Sequence, residues 1–297
     1  MAHTLYVTEN FNVGGNKGTI NGLEGRLSFI DQLSKYNNSL DDCKHDIWNL
    51  SAREKEYQKF LFYKYFFAAE KPVLVTEGKT DINYLKAALK SNYLRYPNLI
   101  ILNSDGKFEF KVSFFKRTKR LKFFLGISKD GADSMKNIYS YFVSSQRGSE
   151  RITNYLNYFL NLTKRKPKRP VIFVFDHELK SSHKKPLRVF VNALKNKKKN
   201  ELEQKLNKEN YVKIISNLYI LTNPLVDNKD ECEIEDLFDQ QILETKINGK
   251  TFSREGEDET VYGKQVFSTH VLNNYSNINF DNFIPMLDAL NKIIVSY

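Results

Sequence analysis

Val171-Ile172-Phe173-Val174-Phe175-Asp176-His177-Glu178 is the stretch whose reading decides the fold. Five consecutive β-branched or aromatic residues, with no polar member, read as a strand buried on both faces. Strands of that kind belong to parallel sheets covered by helices on either side. A second stretch has the same form: Val73-Leu74-Val75-Thr76 runs into Glu77-Gly78-Lys79-Thr80-Asp81. Each strand ends on acid, Glu77 in one case and Asp176 with Glu178 in the other. In open α/β sheets, ligands bind beyond the carboxyl ends of the strands. If these two strands are parallel neighbours, the three carboxylates converge.

Working outward, residues 11–22 read as a glycine-rich loop, and Leu23, Leu27, Ile30 and Leu33 as a short helix. Residues 35–50 read as a connection. Ser51 and Glu54 form a capping-box pattern that starts a helix through about Ala69, with aromatics on more than one face. Downstream, Thr80 is expected to cap a helix bearing Ile82, Leu85 and Leu89. Leu99–Leu102 and Phe123–Leu125 read as further strands, and Asp130-Gly131 as a turn. Met135, Ile138 and Phe142 mark one amphipathic helix, and Ile152, Tyr155, Leu156 and Phe159 another. Pro186 opens a helix with Leu187, Phe190, Val191 and Leu194. Leu218–Leu221 reads as a strand and Phe280–Ile294 as a helix. Strands alternating with helices predict an α/β fold with a mostly parallel sheet and helices on both faces.

The chain has 297 residues, room for one large domain or two small ones. Its 41% hydrophobic content excludes global disorder. No apolar run reaches the length of a membrane span, and Met1–Asn10 lack a secretory signal pattern, so no membrane partner is expected. Cys43 and Cys232 are too few for a disulfide scaffold or a four-cysteine zinc site, which points to a reducing cytoplasm. The net charge of +11 predicts a polyanionic partner. The excess is clustered at Lys116, Arg117, Lys119 and Arg120, at Lys164, Arg165, Lys168 and Arg169, and at Lys195–Lys199. These runs are candidates for phosphate-backbone contact.

Three clustered carboxylates repel one another unless a cation sits between them. Hard oxygen ligands suit Mg²⁺ or Mn²⁺, and such an ion would stabilise charge in phosphoryl transfer. A single strand-end acid is more often just a solvated loop residue; two strands ending alike favour a site. Gly78-Lys79-Thr80 looks like the tail of a P-loop, but the required earlier glycine is replaced by Val73.

Val-Leu-Val-Thr-Glu-Gly-Lys-Thr-Asp at 73–81, with Phe-Val-Phe-Asp-His-Glu at 173–178, resembles the Toprim domain of topoisomerases, DnaG-type primases and several nucleases. The resemblance implies a Rossmann-like fold, Glu77 as general acid/base, and Asp176 and Glu178 as Mg²⁺ ligands. Glu178 departs from the usual Asp. Topoisomerases need a tyrosine-bearing domain and these primases a zinc-binding region, and neither is evident, which leaves the nuclease branch. Glu233–Phe238 looks like a later element of that branch, offering Glu235 and Asp236 to a second metal. Tyr262-Gly263-Lys264 looks like another, with Lys264 near a developing charge. An acidic helix start is an equal reading of the first, and an ordinary surface lysine a somewhat better reading of the second.

A narrower resemblance spans nearly the whole chain. Gly22–Asp31 looks like the tail of a retron reverse-transcriptase thumb. Ala52–Phe66 running into Glu77–Asp81, Ile234–Phe238 and Tyr262–Lys264 resemble retron enzymes with a C-terminal Toprim extension. It implies a thumb-like tail and linker at 1–50, a connecting helix at 51–70 and a Toprim domain with its extension at 71–297. It also implies a nuclease effector in anti-phage defence, acting on RNA, DNA or the retron hybrid, with the reverse-transcriptase core or a second copy as partner. The polymerase motif Tyr-x-Asp-Asp is absent, so no reverse transcription is expected. The alternatives are a module that only binds the RNA–DNA hybrid and, more remotely, a strand-passage or priming enzyme completed by a partner.

Overall fold

Every residue of Val171–Phe175 is buried in the computed structural model, and the alternation along the strand shows why. Ile172 and Val174 face one apolar cluster, which also holds Leu74, Tyr84, Leu85, Phe267, Leu287 and Leu290. Phe173 and Phe175 face the other way, with ring centroids 5.6 and 5.2 Å from that of Phe190. Side chains of a strand alternate between faces, so a strand apolar throughout requires cover on both.

The structure describes residues 50–127, 132–147, 150–180, 185–194 and 199–297. The glycine-rich loop, the thumb-like helix at 23–33, the connection to residue 49, Cys43, the Asp130-Gly131 turn and the lysines at 195–198 lie outside them. In chain order, α1 (Ala52–Phe62) leads into a π-helical turn (Tyr63–Phe67), β1 (Val73–Thr76), α2 (Asp81–Ser91), β2 (Ile100–Leu102), β3 (Phe108–Phe110) and β4 (Ser113–Phe114). Next come α3 (Lys119–Leu125), α4 (Ala132–Val143), β5 (Ser145–Arg147), β6 (Glu150–Ile152), α5 (Tyr155–Thr163), β7 (Val171–Phe175), α6 (Pro186–Ala193) and α7 (Lys199–Glu209). The remainder is β8 (Tyr211–Ile215), β9 (Leu218–Thr222), a 3-10 turn (Ile234–Leu237), α8 (Gln240–Leu243), β10 (Thr251–Phe252), β11 (Val261–Tyr262), α9 (Lys264–Asn273) and α10 (Ile284–Ser296).

The chain divides into two units. Among the described residues, one comprises 50–61 and 117–127, and the other the rest. The division falls inside α1, and it assigns α3 to the N-terminal unit. In that unit the capping box is formed: the Ser51 N–H donates to Glu54 Oε2 at 2.8 Å, and the Glu54 N–H to Ser51 Oγ at 3.4 Å. The expected strand at Phe123–Leu125 is instead the end of helix α3. Thr118 Oγ1 accepts the Leu121 N–H, and Gly126 adopts φ 64° beyond the last turn. A polar N-cap and a left-handed glycine bracket a helix, and three apolar residues alone do not distinguish helix from strand.

The second unit is built on a five-stranded sheet of order β4-β1-β7-β9-β8. β1 is parallel to both β4 and β7, β7 is parallel to β9, and β8 alone runs antiparallel. The mixed α/β, mostly parallel class is thus established, with helices on both faces. Leu99–Leu102 does contain a strand, but it pairs with β3 in a separate hairpin. Ile152 belongs to the β5–β6 hairpin, and α5 begins only after Asn154, whose Oδ1 accepts the Asn157 N–H. No helix among the described residues is long and apolar enough to cross a membrane.

Candidate active site

Strand register brings the predicted carboxylates together. Thr76 of β1 lies opposite Val174 of β7, so Glu77 comes level with Phe175, and Asp176 follows immediately. The Asp176 N–H donates to the Glu77 carboxylate. On the other side of β7, Phe175 lies opposite Thr222, which brings Asn223 level with Asp176. The Asn223 side-chain amide donates to Asp176 Oδ1 at 2.7 Å, and the Ile234 N–H donates to the same oxygen at 2.9 Å.

The residue between the two acids is structural. His177 is fully buried, with Nδ1 2.9 Å from the Asn223 carbonyl and Nε2 2.9 Å from Asn207 Oδ1. Its backbone exchanges hydrogen bonds with Cys232, at 2.9 and 3.1 Å. That bridge carries the 3-10 turn across the strand ends and delivers Glu235, only 1% exposed, to the cluster. Asp236 turns elsewhere: it bonds the Glu233 N–H, Lys229 and Arg254, and these cations hold its carboxyl below the usual range despite partial burial. The acidic helix-start reading describes Asp236, which closes the capping box of the 3-10 turn, while Glu235 is buried beside Lys264.

Sequence reasoning passed over Asp81. Its Oδ2 accepts the Gly78 N–H at 2.7 Å, so the glycine turn folds back on the first residue of α2. A Cβ at Gly78 would lie 2.9 Å from Asp81 Oδ1, which explains the glycine. Thr80 makes no side-chain cap; Asp81 supplies the local bond instead. The Gly78 N–H is thus engaged by Asp81 and turned away from any ligand at this turn. The signal available in the sequence was an acid four residues after Glu77, in reach of the same turn.

Lys264, the first residue of α9, sits across from the acids. Its Nζ is 3.1 Å from Glu235 Oε2 and 3.2 Å from Glu233 Oε2. Burial alone would lower its pKa, but Glu235 and Glu233 hold the ammonium well above the usual value. Glu178 is buried and ion-paired with Lys185 at the flank. Burial raises its pKa and Lys185 opposes the rise.

The electrostatics follow from packing these groups so closely. Burial, then Asp81 and Glu178, push Glu77 up to about 8, against the pull of Lys264 and the Asp176 N–H. Burial, then Asp81, Glu77, Glu235 and Glu178, raise Asp176 well above its ordinary value. Asp81 and Glu235 are raised by burial as well, and Lys264 restrains both. Without a cation, this cluster retains protons at neutral pH.

The donor chemistry suits a hard divalent ion: Glu77, Asp81, Asp176 and Glu235 are oxygen ligands whose mutual repulsion a cation would relieve. Glu235 Oε1 is shut off from solvent and has no hydrogen-bond partner. In their present positions, no three His, Cys, Asp or Glu side chains among the described residues close around a common point as a ready-made metal site. Filling it would require side-chain movement.

The basic runs are dispersed. Lys116 is exposed two residues past β4, at the same end of the sheet as Glu77. Arg117, Lys119 and Arg120 belong to the other unit. Lys164, Arg165, Lys168 and Arg169 are exposed in the loop entering β7, the end of that strand away from Asp176. Five residues of strand separate them from the acids, about 16 Å.

No protein-family model matches the chain, and comparison with solved structures yields no significant match.

Proposed function

We propose that the chain is a metal-dependent nuclease of the Toprim kind, cutting RNA or DNA by phosphoryl transfer. The observation that carries this reading is the juxtaposition of Glu77 and Asp176 at the ends of adjacent parallel strands, with Asp81 and Glu235 close by and Lys264 opposite. Perturbed carboxylates gathered from distant parts of a chain are a functional-site signature.

Asp176 and Glu235 would hold a Mg²⁺ or Mn²⁺ ion beside Glu77, with Glu178 joining on release from Lys185. The ion would supply Lewis-acid stabilisation of the phosphoryl oxygens. Glu77 carries the proton chemistry. Burial and the neighbouring Asp81 and Glu178 raise its pKa, which suits a carboxyl that donates to the leaving oxygen as the P–O bond breaks. Water forms the new P–O bond, and its proton restores Glu77. Asn223 and the Ile234 N–H keep Asp176 oriented. Lys264, shared between two glutamates, faces the site from the start of α9 and would meet negative charge developing there.

The resemblance to retron enzymes extends the reading to an effector in anti-phage defence, working beside a reverse transcriptase. A second reading, a module that holds the RNA–DNA hybrid without cutting it, draws on the ion pairs by which Lys264 and Lys185 already neutralise part of the acid. The deciding experiment is cleavage of labelled tRNA, single-stranded RNA and single-stranded DNA across a Mg²⁺ and Mn²⁺ titration. Glu77→Gln should lose about 100-fold or more in turnover while keeping substrate binding. Asp176→Asn should weaken metal dependence, with partial rescue by Mn²⁺. Full activity in both variants would leave only the binding module.

A further inference from the structure

A row of half-buried lysines along α2 has no carboxylate to answer it among the described residues. Lys86 and Lys90 stand one helical turn apart. Lys86 Nζ lies 5.3 Å from the ring centroid of Phe114 and 5.9 Å from that of Phe110. Lys90 Nζ lies 5.0 Å from the centroid of Tyr275 and 5.8 Å from that of Phe108. Lys116 completes the group from the edge strand, near enough to Lys86 for the two charges to oppose each other. Neighbouring lysines behave differently: Lys71 and Lys111 pair with Glu109, and Lys107 with Asp105. No ion pair is formed by Lys86, Lys90 or Lys116 among the described residues.

Uncompensated like charge held together by the fold marks a surface that meets an anion. The aromatic rings contribute in two ways. Their faces hold the lysine ammonium groups in place, so less side-chain freedom is lost on binding. Phe108, Phe110, Phe114 and Tyr275 are only half-buried, which leaves ring surface beside the cations. Cations interleaved with aromatic rings match a strand of alternating phosphates and unstacked bases; a duplex hides its bases from such rings. The location agrees: α2 begins at Asp81, and β4 leads to Lys116 alongside the strand that ends at Glu77.

We propose that Lys86 and Lys90, set over the half-buried rings of Phe108, Phe110, Phe114 and Tyr275, form with Lys116 a track that holds single-stranded nucleic acid and leads it to the carboxylate site. The track names the substrate form for the nuclease reading and rests on that reading for its purpose, though its binding is measured separately. The probe is a fluorescently labelled single-stranded oligonucleotide, RNA in one arm and DNA in another, followed by anisotropy in EDTA across a salt series. A duplex of the same length forms a third arm.

The full chain with Lys86→Gln, Lys90→Gln and Lys116→Gln together should bind single strands at least about 10-fold more weakly at low salt. Its log–log salt slope should fall by about 2, at roughly 0.7 per phosphate contact. The matching arginine variants should retain binding, which separates charge from folding. Neutralising Lys164, Arg165 and Lys168 should change the slope less. An unchanged slope in the track variant or an equal loss for duplex would each overturn the track. Wild-type protein that binds single strands in EDTA through these lysines but never cuts them with Mg²⁺ or Mn²⁺ would overturn the nuclease reading and leave the track standing.

Discussion

Replacing Glu77 by Gln should change the pH dependence of folding in a direction that the packing of the site dictates. The carboxyl is raised from 4.5 to about 8, mainly by burial and then by Asp81 and Glu178. Between those values the folded chain keeps a proton that the unfolded chain has released. The associated stability is complete below pH 4.5 and is lost as pH rises through about 8. At about 1.4 kcal/mol per pH unit, that interval sets a ceiling of about 5 kcal/mol. Asp81 and Asp176 share the same protons, so the loss belongs to the cluster, and Glu77→Gln removes only part of it. Urea unfolding in EDTA at a series of pH values from 5 to about 8.5 measures the effect. Wild type should weaken steadily over that range. The variant should weaken less and be more stable than wild type at the alkaline end, by about 2–4 kcal/mol. Mg²⁺ added at alkaline pH should stabilise wild type more than the variant, because binding to the folded state alone adds stability by mass action. Identical pH profiles for the two proteins would refute the buried, mutually repelling cluster.

Three further outcomes follow from the same geometry. Lys264→Met should destabilise the protein by about 1–3 kcal/mol, because Glu235 is left buried without its cation; thermal unfolding checks it, and the cost should shrink at acid pH as Glu235 takes up a proton. Gly78→Ala should displace Asp81 from the Gly78 N–H, lowering stability by about 1–3 kcal/mol and any cleavage activity with it; an unchanged melting temperature would show that the turn tolerates a Cβ. Asn223→Ala removes one of the two donors on Asp176 Oδ1 and should cost about 1–2 kcal/mol, with a weaker response to Mn²⁺ in a metal titration than wild type.

The sequence by itself determined the three inner strands β1, β7 and β9 and the acids that follow two of them, while the edge strands β4 and β8 were not legible. A fully apolar five-residue strand followed by acid has few other readings, so β7, β1, Glu77 and Asp176 were legible from burial and period alone. The Ser51–Glu54 capping box was legible as a pattern, the cap expected at Thr80 gave way to Asp81, and Thr118 and Gly126 around α3 were missed because they lie outside the apolar run. Only the tertiary structure decided which acids share a site. Glu235 reaches the cluster because the His177–Cys232 bridge turns the chain back over the strand ends, while Asp236, next to it in sequence, is captured by Lys229 and Arg254. Asp81 enters through a hydrogen bond to a glycine three residues earlier. The same reason separates the basic clusters: the run at Lys164–Arg169 stands out in the sequence yet enters β7 from its far end. Lys86 and Lys90, unremarked in the chain, become a patch once α2 packs beside the β2–β3 hairpin. Periodicity along a chain reports what each element must bury, and the meeting of side chains from different elements is set by strand order and register.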